Sequence, residues 1–263
     1  MVNREQLTVV CPFNDGESKT IIDICRRLGV DVRVSAQPWG ATLDREPAEN
    51  MQDLKKIIAV VEMPSIVLEE ELGRQGHTVL VVDHHHYPNW NMDRRRALSS
   101  LEQIAEILGY SLTRWEQGVA INDRAYIFGL LDAGYAMDEI LALRRFDLES
   151  QGVPPERIDA VREALKTAPV KAGITVLRLD FVNAGFAQDF LVLENPTQVR
   201  DLLVLGGNPI RKVQFYGDPE KVEKLADIGE WTGGGTRSKF WGTNNPDLPE
   251  IFRRLGIELG DRS

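Results

Sequence analysis

The feature that most constrains the fold is an alternation of short apolar runs with helix-like segments in the first third of the chain. Apolar runs occupy residues 7–10, 30–34, 57–61 and 78–82, and amphipathic segments occupy residues 19–28 and 66–75. This alternation is typical of βαβ units, in which helices join parallel strands that are buried on both faces. We therefore predict an α/β fold with a parallel sheet and helices on both faces of it.

The rest of the chain predicts a helical block followed by a second, smaller α/β domain. Helical periodicity runs from about residue 94 to residue 166, with Gly109 as one helix stop and Pro155 as a helix start. We place the domain boundary at 170, which gives domains of residues 1–170 and 171–263. The second domain is expected to contain a hairpin of residues 174–182 and 187–193, a strand at 213–216, a helix at 219–228 and a loop at 232–236.

Composition restricts the setting in which the protein works. The 263 residues include 40 acidic and 31 basic ones, for a formal net charge of −9, and only two cysteines. The N-terminus lacks a secretory signal and no apolar run could span a bilayer, so we expect a cytoplasmic protein without a membrane partner. Net negative charge disfavours tight binding to long duplex DNA. Clustered carboxylates could instead bind a metal ion.

Metal-capable side chains follow three of the predicted strands. Cys11, Asp15 and Glu17 follow the first of these strands, and Glu62 follows the second. The third strand is followed by Asp83, His84, His85 and His86, which include three of the four histidines in the chain. The carboxyl ends of parallel strands form one ligand crevice, so these residues are expected to converge. Without a cation, that many carboxylates would repel one another.

These residues resemble the DHH phosphoesterase superfamily, which includes RecJ-type exonucleases, oligoribonucleases, exopolyphosphatases and family II inorganic pyrophosphatases. The resemblance covers most of the chain, and its most specific part is the run Val81-Val82-Asp83-His84-His85 with the helix-like segment 97–102 downstream. The family motif His-x-x-x-Asp-x-Asp is matched in spacing by Cys11, Asp15 and Glu17. Glu62 stands where the family has an Asp that ends a strand, and Asp123 resembles its fourth motif.

The resemblance implies a site for two cations, usually Mn²⁺. Cys11, Asp15 and Glu62 would hold one ion, and Glu17, Glu62, His84 and Asp123 would hold the other, with Glu62 as the bridge. Asp83 would orient its neighbouring histidine, and His85 would face the substrate phosphate. Hydrolysis would use a metal-activated water molecule. A soft Cys11 ligand shifts the preference toward Co²⁺, Zn²⁺ or Fe²⁺, with Mg²⁺ also open, or leaves that position empty.

Substrate-binding residues are also implied by the resemblance. In the family a smaller domain supplies a Gly-Gly-Gly-His loop across an active-site cleft, and this chain has Gly233, Gly234, Gly235 and Thr236 in the corresponding place. Because Thr236 replaces the histidine, Arg237 and Lys239 could pair with phosphate instead. His86 is a further candidate for phosphate contact.

Structural roles remain open for several of these residues. Cys11 could be a small buried hydrophobe, Glu62 could cap the following helix, and Asp123 could lie at a helix N-terminus. The glycines could form a flexible turn. A plain dinucleotide-binding domain is disfavoured, because no Gly-x-Gly-x-x-Gly follows the first strand.

We predict a metal-dependent phosphoesterase, a hydrolase for a small phosphate-containing molecule, a nucleotide or a short single-stranded oligonucleotide. The alternative is a catalytically degenerate relative that binds a nucleotide or a protein partner in the same cleft. The oligomeric state, including a homodimer, is left open by the sequence.

Overall fold

A computed structural model describes residues 2–38, 40–87, 91–234 and 237–258. The chain divides into two compact units, Met1–Val153 and Pro154–Ser263. The sequence-based division places the helix that follows Pro154 in the first domain, whereas this division places it in the second unit. Among the described residues, no helix combines the length and the apolar character needed to cross a membrane.

The first unit is built on a four-stranded sheet that is parallel throughout. Its strands are β1 (Leu7–Pro12), β2 (Asp31–Ser35), β3 (Ile57–Val61) and β4 (Thr78–Val82), in the spatial order β2-β1-β3-β4. Every residue of β1 is buried, because β1 is an inner strand covered on both faces. The predicted parallel sheet is confirmed.

Helices connect these strands and follow the sheet. They are α1 (Gly16–Arg27), α2 (Ile66–Arg74), α3 (Ser100–Leu108), α4 (Arg114–Asp132) and α5 (Met137–Ser150), and a short hairpin of β5 (His86–Tyr87) and β6 (Met92–Asp93) precedes α3. Gly109 ends α3 with φ 59° and ψ 40°, the left-handed conformation that the predicted helix stop requires. Backbone dihedrals at Tyr126 (φ 56°, ψ −159°) interrupt α4.

The second unit carries a mixed six-stranded sheet. Its elements are α6 (Pro155–Thr167), β7 (Val170–Lys171), β8 (Ile174–Leu179), α7 (Ala187–Glu194), β9 (Asp201–Gly206), β10 (Lys212–Gly217), α8 (Pro219–Leu225), β11 (Trp231–Gly234), β12 (Lys239–Thr243) and α9 (Leu248–Leu255). The strand order is β11-β12-β10-β9-β8-β7, and only β8 and β9 are parallel. Phe215 and Trp241 lie at the centre of its apolar core.

Two sequence predictions for the second unit are wrong. The predicted hairpin does not form: residues 187–193 lie in α7, and β8 pairs instead with β9, which the sequence analysis did not identify. Residues 232–234 were predicted to be a loop, but they belong to β11 and pair with β12. In both places pairing between strands decides the structure over the local pattern, with β9 beside β8 in the first and β12, which begins five positions after β11 ends, beside β11 in the second. The predicted α/β class of both units is nevertheless confirmed.

Candidate metal centre

Four of the predicted metal ligands converge at the carboxyl edge of the parallel sheet. Glu17 lies in the first turn of α1, directly after β1, and Glu62 follows β3. His84 follows β4, and Asp123 lies on α4. One ligand atom from each of the four lies within 4.8 Å of the other three. Parallel strand direction brings the first three together, and α4 supplies the fourth from the helical block.

The His84 ring lies at the centre of this cluster. Its Nε2 atom is 2.8 Å from Asp123 Oδ2, 3.2 Å from Glu62 Oε1 and 3.9 Å from Glu17 Oε2. Three carboxylates from separate elements therefore point at one imidazole nitrogen. A second group, composed of Glu62, His84 and His85, shares two of the same residues.

Three atoms of this cluster are buried without a hydrogen-bond partner among the described residues. They are Glu17 Oε2, His84 Nε2 and Asp123 Oδ2. The short distance between His84 and Asp123 therefore lacks the alignment of a hydrogen bond. Buried polar atoms without partners cost free energy, which a bound cation would offset. Imidazole and carboxylate ligands suit Mn²⁺, Fe²⁺, Co²⁺ or Zn²⁺, so the residues fit a divalent metal ion.

The charges in the cluster perturb the pKa values of its members. Burial raises the pKa of Glu17 well above its usual value, and the nearby carboxylates of Asp123 and Glu62 raise it further. Burial lowers the pKa of His84, but Asp123 and Glu62 outweigh this effect and raise that pKa to about 10. For Glu62, burial raises the pKa, while His84, His85 and Ser100 lower it more. The carboxylates thus stabilise a positive charge at the position of the imidazole.

The N-terminus of α3 holds two of the carboxylates in place. The backbone N–H of Leu101 donates to Glu17 Oε1 at 2.9 Å, and Ser100 Oγ donates to Glu62 Oε1 at 2.7 Å. Ser99 caps the helix in a reciprocal capping box with Glu102, which fixes this first turn. Sequence reasoning missed Ser100 and Leu101 as supporting residues. The Ser-x-x-Glu capping signature of residues 99–102 was the signal that marks a helix N-terminus, where carboxylates are favoured.

Glu62 has a backbone conformation that is unusual for its residue type. Its φ is 49°, and its N–H donates to Val82 O at 3.0 Å. Ser65, rather than Glu62, caps α2, because the Ser65 side chain accepts a hydrogen bond from the N–H of Leu68. The capping role considered for Glu62 is therefore wrong. The left-handed backbone turns the chain sharply after β3, and the side chain joins the cluster.

Asp83 is buried and orients His85. Its Oδ1 atom accepts a hydrogen bond from the backbone N–H of His85 at 3.0 Å and lies 3.1 Å from His85 Nδ1. Its Oδ2 atom accepts from Tyr87 Oη at 3.0 Å, and Gln103 donates to the Asp83 carbonyl at 3.1 Å. The His85 side chain is 39% exposed, whereas that of Asp83 is 1% exposed. Sequence reasoning missed Tyr87 and Gln103, which no motif marks.

Cys11 and Asp15 lie outside the four-residue cluster. Cys11 is fully buried, and its Sγ makes weak contacts with the carbonyls of Pro12 (3.4 Å) and Ser18 (3.8 Å). Asp15 is the N-cap of α1, where its Oδ1 accepts from the N–H of Ser18 at 2.8 Å. Burial raises the pKa of Asp15 to about 7, with Glu62 and Asp123 adding to that increase. The Cys11 pKa is likewise raised, chiefly by burial.

The predicted substrate-binding residues are dispersed over both units. His86 lies in β5 of the first unit, with Nδ1 3.9 Å from Asp93 Oδ1. Gly233 and Gly234 are in β11. Lys239 forms an ion pair with Glu223 at 2.5 Å. Arg237 is exposed, and Gly235 and Thr236 lie outside the described residues. The phosphate-binding role of these residues stays a prediction.

Comparison with known proteins gives matches among solved structures alone. No protein-family model and no curated protein matches the chain. The chain is similar to RecJ from Thermus thermophilus in complex with Mn²⁺, with a TM-score of 0.47 and 17% identity, over 95% of this chain and 51% of that one. It therefore spans about half the length of that RecJ.

Two further solved structures cover this chain to a similar extent. An exonuclease RecJ bound to manganese has a TM-score of 0.46 and 15% identity, over 95% of this chain and 88% of that one. PggH from Vibrio cholerae, described as a pGpG-specific phosphodiesterase, has a TM-score of 0.43 and 14% identity, over 96% and 97% of the two chains. RecJ-type exonucleases belong to the DHH phosphoesterase superfamily, the group that the motifs of this sequence resemble.

Proposed function

We propose that this chain is a divalent-metal-dependent phosphoesterase, with Mn²⁺ as its preferred ion and Co²⁺, Zn²⁺, Fe²⁺ and Mg²⁺ as alternatives. The observation that carries the proposal is the convergence of Glu17, Glu62, His84 and Asp123, three of which present buried atoms without hydrogen-bond partners among the described residues. The motif resemblance adds the reaction class. When bound, a divalent cation lowers the pKa of a water molecule and offsets the negative charge of a phosphoryl group.

The four clustered residues would hold the ion. Contacts within the chain fix most of these side chains before the ion binds. Glu17 is held by the backbone of Leu101 and Glu62 by the hydroxyl of Ser100. His84 is held against Asp123 and Glu62. Such pre-positioning lowers the entropy that must be lost when the ion and substrate bind.

His85 is the residue that we assign to the substrate phosphate. Asp83 Oδ1 lies beside Nδ1 of the ring, which leaves Nε2 as the nitrogen for substrate contact. Burial lowers the pKa of His85, but Asp83 and Glu62 together outweigh burial and raise that pKa above its usual value. In its protonated form the imidazole would attract a phosphate oxygen and could deliver a proton to the leaving group. Its partial exposure is compatible with substrate contact.

The substrate class follows from charge and from the chemistry of the site. With a net charge of −9, the chain repels a long phosphate backbone, whereas a small substrate presents few phosphates to that field. We therefore propose a nucleotide, a short single-stranded oligonucleotide or another small phosphate compound as the substrate. His86, which lies in β5 of the same unit as the cluster, is a proposed further phosphate contact.

The experiment is a hydrolysis assay with Mn²⁺ on short oligonucleotides, a cyclic dinucleotide and pyrophosphate. His84→Ala removes the central ligand, and we expect kcat/KM to fall about 1000-fold, since a bound metal supplies several kcal/mol of transition-state stabilisation. Asp159→Asn is the matched control, because this exposed carboxylate of α6 pairs with Arg162 outside the cluster, and its activity should match wild type. Turnover by wild type that does not exceed that of His84→Ala would contradict the proposal.

A second candidate function is that of a nucleotide-binding relative without catalysis. It is favoured by one observation, the absence of Cys11 and Asp15 from the metal cluster of the described residues. The two functions separate when Mn²⁺ affinity and turnover are measured on the same sample. Micromolar Mn²⁺ binding together with nucleotide binding, but no hydrolysis of any substrate in the panel, would support this candidate over the enzyme.

A further inference from the structure

Predicted ligands at one edge of the parallel sheet fall into two groups with different surroundings. Glu17, His84 and Asp123 each keep a buried atom without a hydrogen-bond partner among the described residues. Cys11, near the end of β1, and Asp15, which follows that strand, have no such atom. Buried ligand atoms without hydrogen-bond partners are expected where a cation binds, because the ion supplies the missing contact. Glu62 joins this group by position, since its Oε1 lies 3.2 Å from His84 Nε2.

The Cys11 thiol is buried and contacts two backbone carbonyls. Its side chain is fully buried, and Sγ lies within weak hydrogen-bond distance of the carbonyls of Pro12 and Ser18, the second of which belongs to α1. A thiol that faces two carbonyl oxygens acts as a donor, which requires its proton, whereas metal binding requires the thiolate. Cys11 thus joins β1 to the start of α1 in the manner of a small buried residue.

The Asp15 carboxylate is used to begin α1. Asp15 Oδ1 accepts from the N–H of Ser18, and Ser18 Oγ accepts in return from the N–H of Asp15 at 3.2 Å. This reciprocal pair is a capping box, which satisfies two of the backbone donors at a helix N-terminus. The cap also fixes the first turn of α1, in which Glu17 lies. Asp15 therefore positions a ligand through the helix.

We propose that the site binds one divalent cation per chain, held by Glu17, Glu62, His84 and Asp123, and that Cys11 and Asp15 are structural residues. This inference rests on the proposed metal site but not on turnover. It differs from the two-cation site that the motif resemblance implies. Glu62 would then serve a single ion instead of bridging two, and the hydroxyl of Ser100 holds its carboxylate in place.

The test is the stoichiometry of Mn²⁺, measured by equilibrium dialysis with elemental analysis. We expect one ion per chain in the wild-type protein. Cys11→Ala and Asp15→Asn should keep one ion with a Kd within about threefold of wild type, since Asn caps a helix as well as Asp does. Asp123→Asn and Glu17→Gln should weaken binding at least about 100-fold, because even changes to supporting residues cost 10- to 100-fold.

Cobalt substitution provides a second readout that is independent of activity. A thiolate ligand to Co²⁺ gives an intense near-ultraviolet charge-transfer band, and the proposal predicts its absence in the wild-type protein. Cys11→Ser repeats the test with a side chain that keeps a hydrogen-bond donor, in case Cys11→Ala fails to fold. Two ions per chain, the loss of an ion in the Cys11 or Asp15 variants, or a charge-transfer band that Cys11→Ser removes would each overturn the inference.

Hydrolysis measured on the same samples separates this inference from the proposed function. One bound ion without turnover would leave the inference intact and contradict the enzyme. Turnover with two bound ions would support the enzyme and overturn the inference. Turnover with one ion should rise with free Mn²⁺ concentration along a hyperbola with a Hill coefficient of 1, and a coefficient near 2 would count against a single cation.

Discussion

The two sheets of this molecule place their polar residues in different ways. In the first unit all four strands are parallel, so residues that follow β3 and β4 meet at one edge, together with Glu17 after β1. In the second unit only β8 and β9 are parallel, and the ends of its other strands alternate between opposite edges. Strand direction therefore decides whether polar residues that are far apart in sequence assemble into a site.

The variant with the largest expected effect tests whether the core of the second unit contributes to the stability of the fold but not to the metal centre. Phe215→Ala removes a fully buried ring from the core of the mixed sheet, and we expect unfolding to become easier by about 3–5 kcal/mol. Urea unfolding followed by tryptophan fluorescence measures the loss. Phe240→Ala, at a ring that is 37% exposed, is the control with a much smaller expected effect.

The same variant also tests whether the metal centre depends on the second unit. Because Glu17, Glu62, His84 and Asp123 all belong to the first unit, Mn²⁺ affinity of folded Phe215→Ala should equal that of wild type. A Kd raised tenfold in the folded variant would mean that the second unit also determines the metal centre.

Metal binding should stabilise the folded chain. An ion that binds only the folded protein adds about 2.7 kcal/mol of stability at 100 times its Kd. Calorimetric unfolding with and without Mn²⁺ measures this gain. Asp123→Asn should lose it while Asp159→Asn retains it, and equal stabilisation of both variants would place the ion elsewhere.

Asp83→Asn should reduce activity without removing the ion. Asparagine preserves the size of the side chain but loses the negative charge beside His85 Nδ1, so we expect kcat to fall about 10- to 100-fold. The change should also lower the pKa of His85, because Asp83 is among the groups that raise it. The limb of the pH–rate profile that reports this histidine should then move to lower pH. An unchanged profile would contradict the orienting role of Asp83.

The smallest expected effect concerns Glu116. This residue lies in the first turn of α4, the helix that also carries Asp123. Burial raises the Glu116 pKa, but hydrogen bonds from Thr113, Arg27 and Tyr110 outweigh it and lower the pKa below its usual 4.5. Glu116→Gln weakens the capping box of α4 and should cost about 1 kcal/mol at pH 7.

The stability that Glu116→Gln removes should depend on pH in a defined direction. A carboxylate with a lowered folded-state pKa contributes stability above its unfolded pKa, and the contribution is lost as pH falls through the folded value. The difference between wild type and Glu116→Gln should therefore be full at pH 7 and shrink below pH 4.5. Denaturant unfolding at several pH values measures it. A difference that grows on acidification would contradict the assignment.

Sequence reasoning was effective where strand direction made geometry simple. Strands β1, β3 and β4 are marked by apolar runs, and parallel pairing then predicts that Glu62 and His84 converge, as they do. The same reasoning fails for α7. Its run Phe190-Leu191-Val192-Leu193 is apolar enough for a strand or a helix, and the choice depends on β9, which occupies the place beside β8.

Sequence spacing also could not show whether Cys11 is a metal ligand or a buried structural residue. Its distance along the chain from Asp15 and Glu17 fits the family motif, but the thiol is paired with carbonyl oxygens of Pro12 and Ser18. Those partners are backbone atoms, which carry no residue-type signal. Likewise, nothing in the sequence identifies Ser100 as the donor to Glu62, because that contact joins residues 38 positions apart.

The left-handed backbone at Glu62 sets main-chain conformation against side-chain reach. A positive φ of 49° costs a residue such as glutamate roughly 1 kcal/mol, and Asp or Asn tolerate that region better. The backbone alone would therefore favour aspartate at this position, but the aspartate side chain is one methylene group shorter. Glu62→Asp should yield a more relaxed main chain and a poorer ligand.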